Sequence, residues 1–458
     1  MRIRSFCLML VTILAAAGAQ AAEAPSLAFD QFYQQVVEHN PGLRSAAAEV
    51  ELSWARKMQA SAGFWPSLSV TAGFSESDDP VNVFGMLLRQ ERFSQSDFEL
   101  NRLNTPRHQR DLQGGVHLRW PLFDAMRTVR TARAAREQVK AAQADEKFVV
   151  MEAFLLAHDA YSGALALEQM LVIAEEAVSA SGEDLKKAQD LKDKGLVLGA
   201  DFYAARVRAG RFSQARNELT RQVKSMRLLL NIMRGAPLAS EFTLPLSAGK
   251  AEPAGVPAAD LLAQAQETRP DFVALAARVN ARREEVLRAR DSILPTVTLT
   301  ADGTNNRRDL GDRGGNNAAL GVVADLPLFD PARSGRIKEA SALLELALAQ
   351  QQALRDTAAS DLARENARYE ALQANYPVVL AMAEDSARAV EMLLPLYSEG
   401  RKSITDLEDA RDARLSAASA LAEMRWGLIT SRARLLFLSG QLNADGIKAV
   451  SAGITNGN

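Results

Sequence analysis

Two hydrophobic patterns divide the chain. Four short segments alternate apolar and polar residues, and long stretches between them repeat apolar residues at helical spacing. In WPSLSVTAGF, Leu68, Val70, Ala72 and Phe74 fall on one side, with Ser67, Ser69 and Thr71 on the other. Val116, Leu118 and Trp120 oppose His117 and Arg119. Val297, Leu299 and Ala301 oppose Thr296, Thr298 and Thr300. Val322, Ala324 and Leu326 oppose Val323 and Asp325. Period two means a strand with one apolar face, so strands are expected over 66–75, 113–122, 295–303 and 318–328. The other pattern places Val149, Ala153, Leu156 and Ala160 on one helix face. Helices are expected over 41–63, 125–191, 201–234, 270–292, 332–397 and 404–438. The two longest would each extend about 100 Å at 1.5 Å per residue and pack in coiled-coil fashion. Pro395, near the end of the second, is a place for a bend.

The phrase PLFD occurs at 121–124 and again at 327–330. Proline lacks the N–H that a ladder needs, so Pro121 and Pro327 are expected to end their strands. Asp124 and Asp330 are expected to cap the helices that follow, with Leu-Phe packing back as a staple. The phrase recurs because the unit recurs. Asn40-Pro41-Gly42-Leu43 matches Arg269-Pro270-Asp271-Phe272, FWPSLSVTAG matches ILPTVTLTAD, DKGLVLGADF matches SEGRKSITDL, and LLLNIMRG matches ARLLFLSG. The chain is therefore a duplication: 22–235, a linker at 236–258, a second copy at 259–440, and a tail at 441–458. The stretch 75–112 is a long loop, with Phe84, Phe93 and Phe98 among Arg and Gln.

Composition narrows the class. Of 458 residues only 6% are aromatic, and alanine at high density suits long, closely packed helices. Arg2 and Arg4, a short apolar run and Ala19-Gln20-Ala21 form an export signal over 1–21. Cys7, the single cysteine, lies within it, so the mature chain has no thiol for a disulfide or cluster. Formal charge is −2, which gives no reason to expect nucleic acid. His39, His108, His117 and His158 show no ligand spacing. No phosphate loop, nucleophile elbow, HExxH or dinucleotide fingerprint is present, so neither an enzyme nor a cofactor is expected. Trp65 and Trp120 flank strand ends, either as an interfacial belt or as ordinary packing. Four amphipathic strands cannot close a membrane barrel, which needs about eight or more. An oligomer of two or three chains would supply the rest. A soluble periplasmic coiled-coil adaptor or scaffold would explain the signal and the helices, but not the strands or the duplication.

YSEGRKSITDLEDAR (397–411) and GLVLGADFYAARV (195–207) complete the picture. With the duplicated helix–strand–strand–helix–helix order and the PLFD junctions, the chain is similar to the TolC family of outer-membrane efflux and secretion channels. The resemblance spans nearly all of the mature chain. It implies a mostly helical protein with β-structure. Such a protein is a homotrimer with a twelve-stranded outer-membrane barrel, four strands per chain, continued by a long periplasmic helical barrel. It also implies lipid around the barrel, a periplasmic adaptor and an inner-membrane pump. By resemblance, Asp406 and Asp409 form an entrance ring of carboxylates that would favour cations. Acids in a first helical turn, with Ser403 as a capping partner, explain the same residues structurally. The resemblance further makes Tyr397, Lys402 and Asp201 entrance-lock residues, with lysine where arginine is familiar and Ala200 in place of a polar partner. It makes Gly195, Leu196, Val197 and Gly400 the tips that an adaptor recognises.

Overall fold

The computed structural model describes residues 25–195, 197–245 and 261–442. The export signal, Leu196, the later part of the linker and most of the tail lie outside the described residues. In chain order the elements are α1 (Phe29–His39), α2 (Pro41–Ser61), β1 (Ser67–Ser77), α3 (Pro80–Arg89), α4 (Leu100–Asn104), β2 (Gln109–Asp124), α5 (Arg127–Asp193) and α6 (Gly199–Met233). The second half holds α7 (Leu261–Thr268), α8 (Pro270–Asp291), β3 (Thr296–Arg307), β4 (Gly315–Asp325), α9 (Arg333–Ser398) and α10 (Ile404–Leu438). The order of the first half repeats in the second, except that α3 and α4 have no counterpart between β3 and β4. Short helices α1 and α7, absent from the sequence reading, precede α2 and α8.

The strands form one antiparallel sheet in the order β1-β2-β3-β4. Its register matches like with like. Leu68 faces Leu118, Leu118 faces Ala301, and Ala301 faces Leu320. Trp120 faces Leu299, which faces Val322. These rows make the apolar face of the sheet, and no other described element covers it: Val70 is 77% exposed and Leu320 77%. The outer edges of β1 and β4 pair with no other described strand. A sheet with a bare apolar face and two open edges is unfinished as a soluble structure.

The PLFD expectation needs correction in the first copy. β2 does not stop at Pro121 but continues to Asp124, pairing Pro121 with Thr298 and Asp124 with Thr296. β1 begins at Ser67, opposite Arg119, so the proline lies where only β3 flanks the strand. A missing N–H is harmless there if it points to the open side. The ladder shifts by one residue between Pro121 and Phe123, a bulge at Leu122. In the second copy β4 ends at Asp325, leaving Leu326 and Pro327 outside the strand. Neither aspartate occupies the cap position itself. Asp124 accepts from Thr128 N at 2.8 Å and from the Thr128 hydroxyl, reaching over the left-handed residues Ala125 and Met126. Asp330 accepts from Ala332 N at 3.0 Å and from Arg336. In the second copy the Leu-Phe staple does not form: Leu328 is 89% exposed and Phe329 87%.

The helices pack through small residues. Ala141 and Ala144 of α5 meet Ala274 and Ala277 of α8. One window of α5 is long and apolar enough to span a membrane, and half of it is buried in the chain itself. α9 continues through Pro377 and Pro395. The largest core lies at mid-length, where Phe29 and Phe32 of α1 and Phe154 and Tyr161 of α5 close on Leu230. The Tyr161 hydroxyl donates to Leu27 O at 2.7 Å. Phe242 and Leu244 join this core, and Leu27 N donates to Thr243 O at 2.8 Å. The start of the expected linker is thus packed structure, because its alternate apolar residues find this waist.

The loop between β1 and β2 is built rather than loose. Phe93 stacks edge-on against Phe84 and Phe98, each at 4.9 Å. Gln90 donates to Asp111 at 2.9 Å, and Asp111 also accepts from Asn306 at 2.7 Å. This buried triad ties α3 to the rim of β2 and β3.

Candidate functional site

At the end of the helices remote from the sheet, two turns lie together. The turn after α5 holds Gly195 and the turn after α9 holds Gly400, both with φ of +73°. A left-handed residue is what a helix needs to turn out of its last carbonyls, and glycine adopts it without strain. Gly400 N donates to Tyr397 O at 3.0 Å and Arg401 N to Leu396 O at 2.9 Å. A Cβ at either glycine would meet nothing within 4 Å. Both turns therefore present open surface. Val197 is half-buried beside the first.

The start of α10 is fixed by a reciprocal cap. The Ser403 hydroxyl accepts from Asp406 N at 3.1 Å, and the Asp406 carboxylate accepts from Ser403 N at 3.2 Å. The backbone and hydroxyl of Ser403, with the Lys402 charge, hold the Asp406 carboxyl below its ordinary range. Lys402 lies 3.9 Å from that carboxylate. One turn on, Asp409 meets Arg208 of α6 at 2.8 Å. Asp406 and Asp409 thus stand on one exposed flank of α10, each facing a cation of its own chain.

Beneath them the four long helices close around Ala188, Phe202, Val390, Tyr397 and Leu407. A polar group is sealed behind this plug. The Ser181 hydroxyl donates to one oxygen of Glu408 at 2.8 Å, and Arg411 donates to Asp184 at 2.5 and 2.9 Å. The other Glu408 oxygen and the Tyr397 hydroxyl have no hydrogen-bond partner. Burial pushes the Glu408 carboxyl up, only partly offset by Ser181 and Arg411. Burial, then the charges of Asp184 and Glu408, also push the Tyr397 phenol up.

The structure therefore gathers Tyr397, Lys402, Asp406, Asp409, Gly195 and Gly400 at one end of the molecule. It does not join Tyr397 to Asp201. Asp201 sits in the first turn of α6, and the tyrosine hydroxyl finds no acceptor. The junction residues Pro121, Asp124, Pro327 and Asp330 lie at the sheet end. Sequence reasoning missed Ser181, Asp184, Glu408, Arg411 and Arg208. A signal existed for the first four: two polar pairs at i,i+3 spacing on helix faces otherwise lined with apolar residues. Among the described residues no three His, Cys, Asp or Glu gather as a metal site. His117 instead bonds Asp302 at 2.6 Å and Thr71 at 2.9 Å across three strands.

Comparison with known proteins agrees with this architecture. The family model described as "Outer membrane efflux protein" matches residues 32–233 and 261–441. The chain is 24% identical over 391 residues to the outer membrane efflux protein BepC of Brucella suis, covering 83% of each chain. It is 22% identical over 442 residues to the outer membrane protein TolC of Vibrio cholerae, covering 93% of each. Among solved structures, the CmeC outer membrane channel of Campylobacter jejuni superposes with a TM-score of 0.77 at 16% identity. That match covers 99% of this chain and 98% of the other. With a matched model over most of its length and the same mostly helical fold carrying a four-stranded sheet, the chain belongs to the outer membrane efflux protein family.

Proposed function

We propose that three copies of this chain form the exit duct of a tripartite efflux or type I secretion system in the outer membrane. The observation that carries the proposal is the unfinished sheet: a bare apolar face, two open edges, and helices of about 100 Å continuing from it. Lipid covers the face, and neighbouring copies pair β1 with β4. Twelve strands then close a barrel with no free edge, as a bilayer demands. The helices extend that barrel through the periplasm.

In this reading the tip is the entrance. Asp406 and Asp409 line it. The Tyr397 plug, with Lys402 and Asp201, holds it together. The turns at Gly195–Val197 and Gly400 meet a periplasmic adaptor, which links the duct to an inner-membrane pump. The pump supplies energy, and the duct is passive.

Cross-linking in cells, followed by purification from the outer membrane, tests this. The expected result is a trimer that carries an adaptor and a pump. Val197→Asp should lose both partners and keep the trimer. A monomer recovered from the soluble periplasm would instead mean a coiled-coil scaffold.

A further inference from the structure

The carboxylates of the proposed entrance are not free charges. A guanidinium nitrogen of Arg208 lies 2.8 Å from Asp409. The pair joins α6 to α10, so it is a contact between helices and not a local i,i+4 pairing. Arg208 is the more covered partner, with 28% of its side chain exposed against 60% for Asp409. It reaches the carboxylate from within the helix packing and remains beside it where water and ions have access. Asp406 is occupied differently: its carboxylate turns back onto the Ser403 cap and faces Lys402 at 3.9 Å.

We infer that Arg208 determines ion specificity at the entrance. It cancels the charge of Asp409, so the opening admits anionic and zwitterionic cargo as readily as cations. The inference rests on the tip being the mouth of a three-fold duct. In that assembly the ring holds six carboxylates, and six cations of the same chains stand beside them. An isolated carboxylate acts over a screening length of about 8 Å at physiological salt. Opposite charges 2.8 Å apart are far closer than that, so a passing ion meets a dipole with a short-ranged field. Six acids without partners would repel anions, whereas paired acids keep the ring hydrated without assigning it a sign.

The test is the reversal potential of the purified full-length protein in planar bilayers under a potassium chloride gradient. Wild type should show little preference between the two ions. Arg208→Gln frees Asp409 and should raise the cation-to-anion permeability ratio roughly sevenfold, because about one kT of restored potential favours the cation and disfavours the anion by one Boltzmann factor each. Arg208→Lys keeps the charge and should match wild type. Asp409→Asn leaves the arginine unopposed and should shift the preference towards anions.

A wild type that is already strongly cation-selective would overturn the inference. So would an Arg208→Gln variant with altered conductance but unchanged ratio, because then Arg208 merely straps α6 to α10. If none of the proteins conducts and the purified chain is a monomer in detergent, the duct reading itself falls and takes this assignment with it.

Discussion

Residues 121–124 and 327–330 spell the same four amino acids, but the first set lies inside the sheet and the second beyond it. Thr296, the first residue of β3, faces Asp124 on one side and Asp325 on the other. The first PLFD, with Leu122 bulged out, therefore shares a level with Val323–Asp325, and the second begins where the ladder has run out. In the first copy, Ala125 and Met126 turn the chain in left-handed conformations, and Asp124 anchors Thr128 to hold that turn. In the second copy, neither residue of Pro331-Ala332 has positive φ, and Asp330 straps Arg336. A motif specifies donors, acceptors and apolar surface. Its register against the neighbouring strand decides which of them are used.

The largest difference should lie in the apolar pair. Leu328 and Phe329 are almost wholly exposed in the chain, while Phe123 is 37% exposed. In the proposed trimer a neighbouring copy covers the former. Leu328→Ser with Phe329→Ser should cost assembly roughly 1.5–3 kcal/mol per side chain. The readout is detergent resistance of the trimer on heating, with helix content of the dissociated chain unchanged. Leu122→Ser with Phe123→Ser should also disturb the chain's own fold. Equal behaviour of the two pairs would erase the contrast.

A smaller effect is expected at Gly63. A Cβ there would come within 2.3 Å of the Thr128 hydroxyl that Asp124 engages. Its counterpart in the second copy, Ser292, carries a side chain without difficulty. Gly63→Ala should destabilise by about 1–3 kcal/mol through overpacking, read as a lowered midpoint in chemical denaturation. Asp124→Ala follows at about 1 kcal/mol, the typical loss of a helix-end acceptor. Its signature should be faster protease cleavage near Met126.

Asp330→Asn should be smallest, because the Arg336 pair is open to solvent. The Arg336 hydrogen bond, with those of the Ala332 and Arg333 backbone, lowers the Asp330 carboxyl from 3.8. A depressed acid stabilises the fold above its unfolded value and loses that contribution as pH falls through the folded one. The strap should therefore weaken below pH 3.8, and an acid titration of Asp330→Asn should lack that component.

Much of the fold was legible. α10 has the limits expected from Ser403 to the last periodic leucine, because a capping box and a steady apolar period agree there. The strands were readable from period two, although their ends moved by up to four residues as loops gave way to ladders. α1 was hidden because eleven residues with two aromatic anchors announce a core only when α5 is opposite. At the tip, the glycines and the cap were visible as local chemistry. The Arg208–Asp409 pair and the Ser181–Glu408 bond were not. Each joins residues about two hundred positions apart, and only the antiparallel return of the duplicated helices brings them together.

The Tyr397 hydroxyl, sealed in the tip with no acceptor, leaves the packed arrangement frustrated. A buried polar group without a partner costs about 1–3 kcal/mol relative to one that is hydrated. Loosening the helix ends would let water reach the phenol and the idle oxygen of Glu408 together, relieving both. A three-fold assembly repeats that tension three times around one axis. The compact tip is therefore held short of its full stability, and in the proposed assembly an adaptor prying at its edge would work on a structure already biased towards yielding.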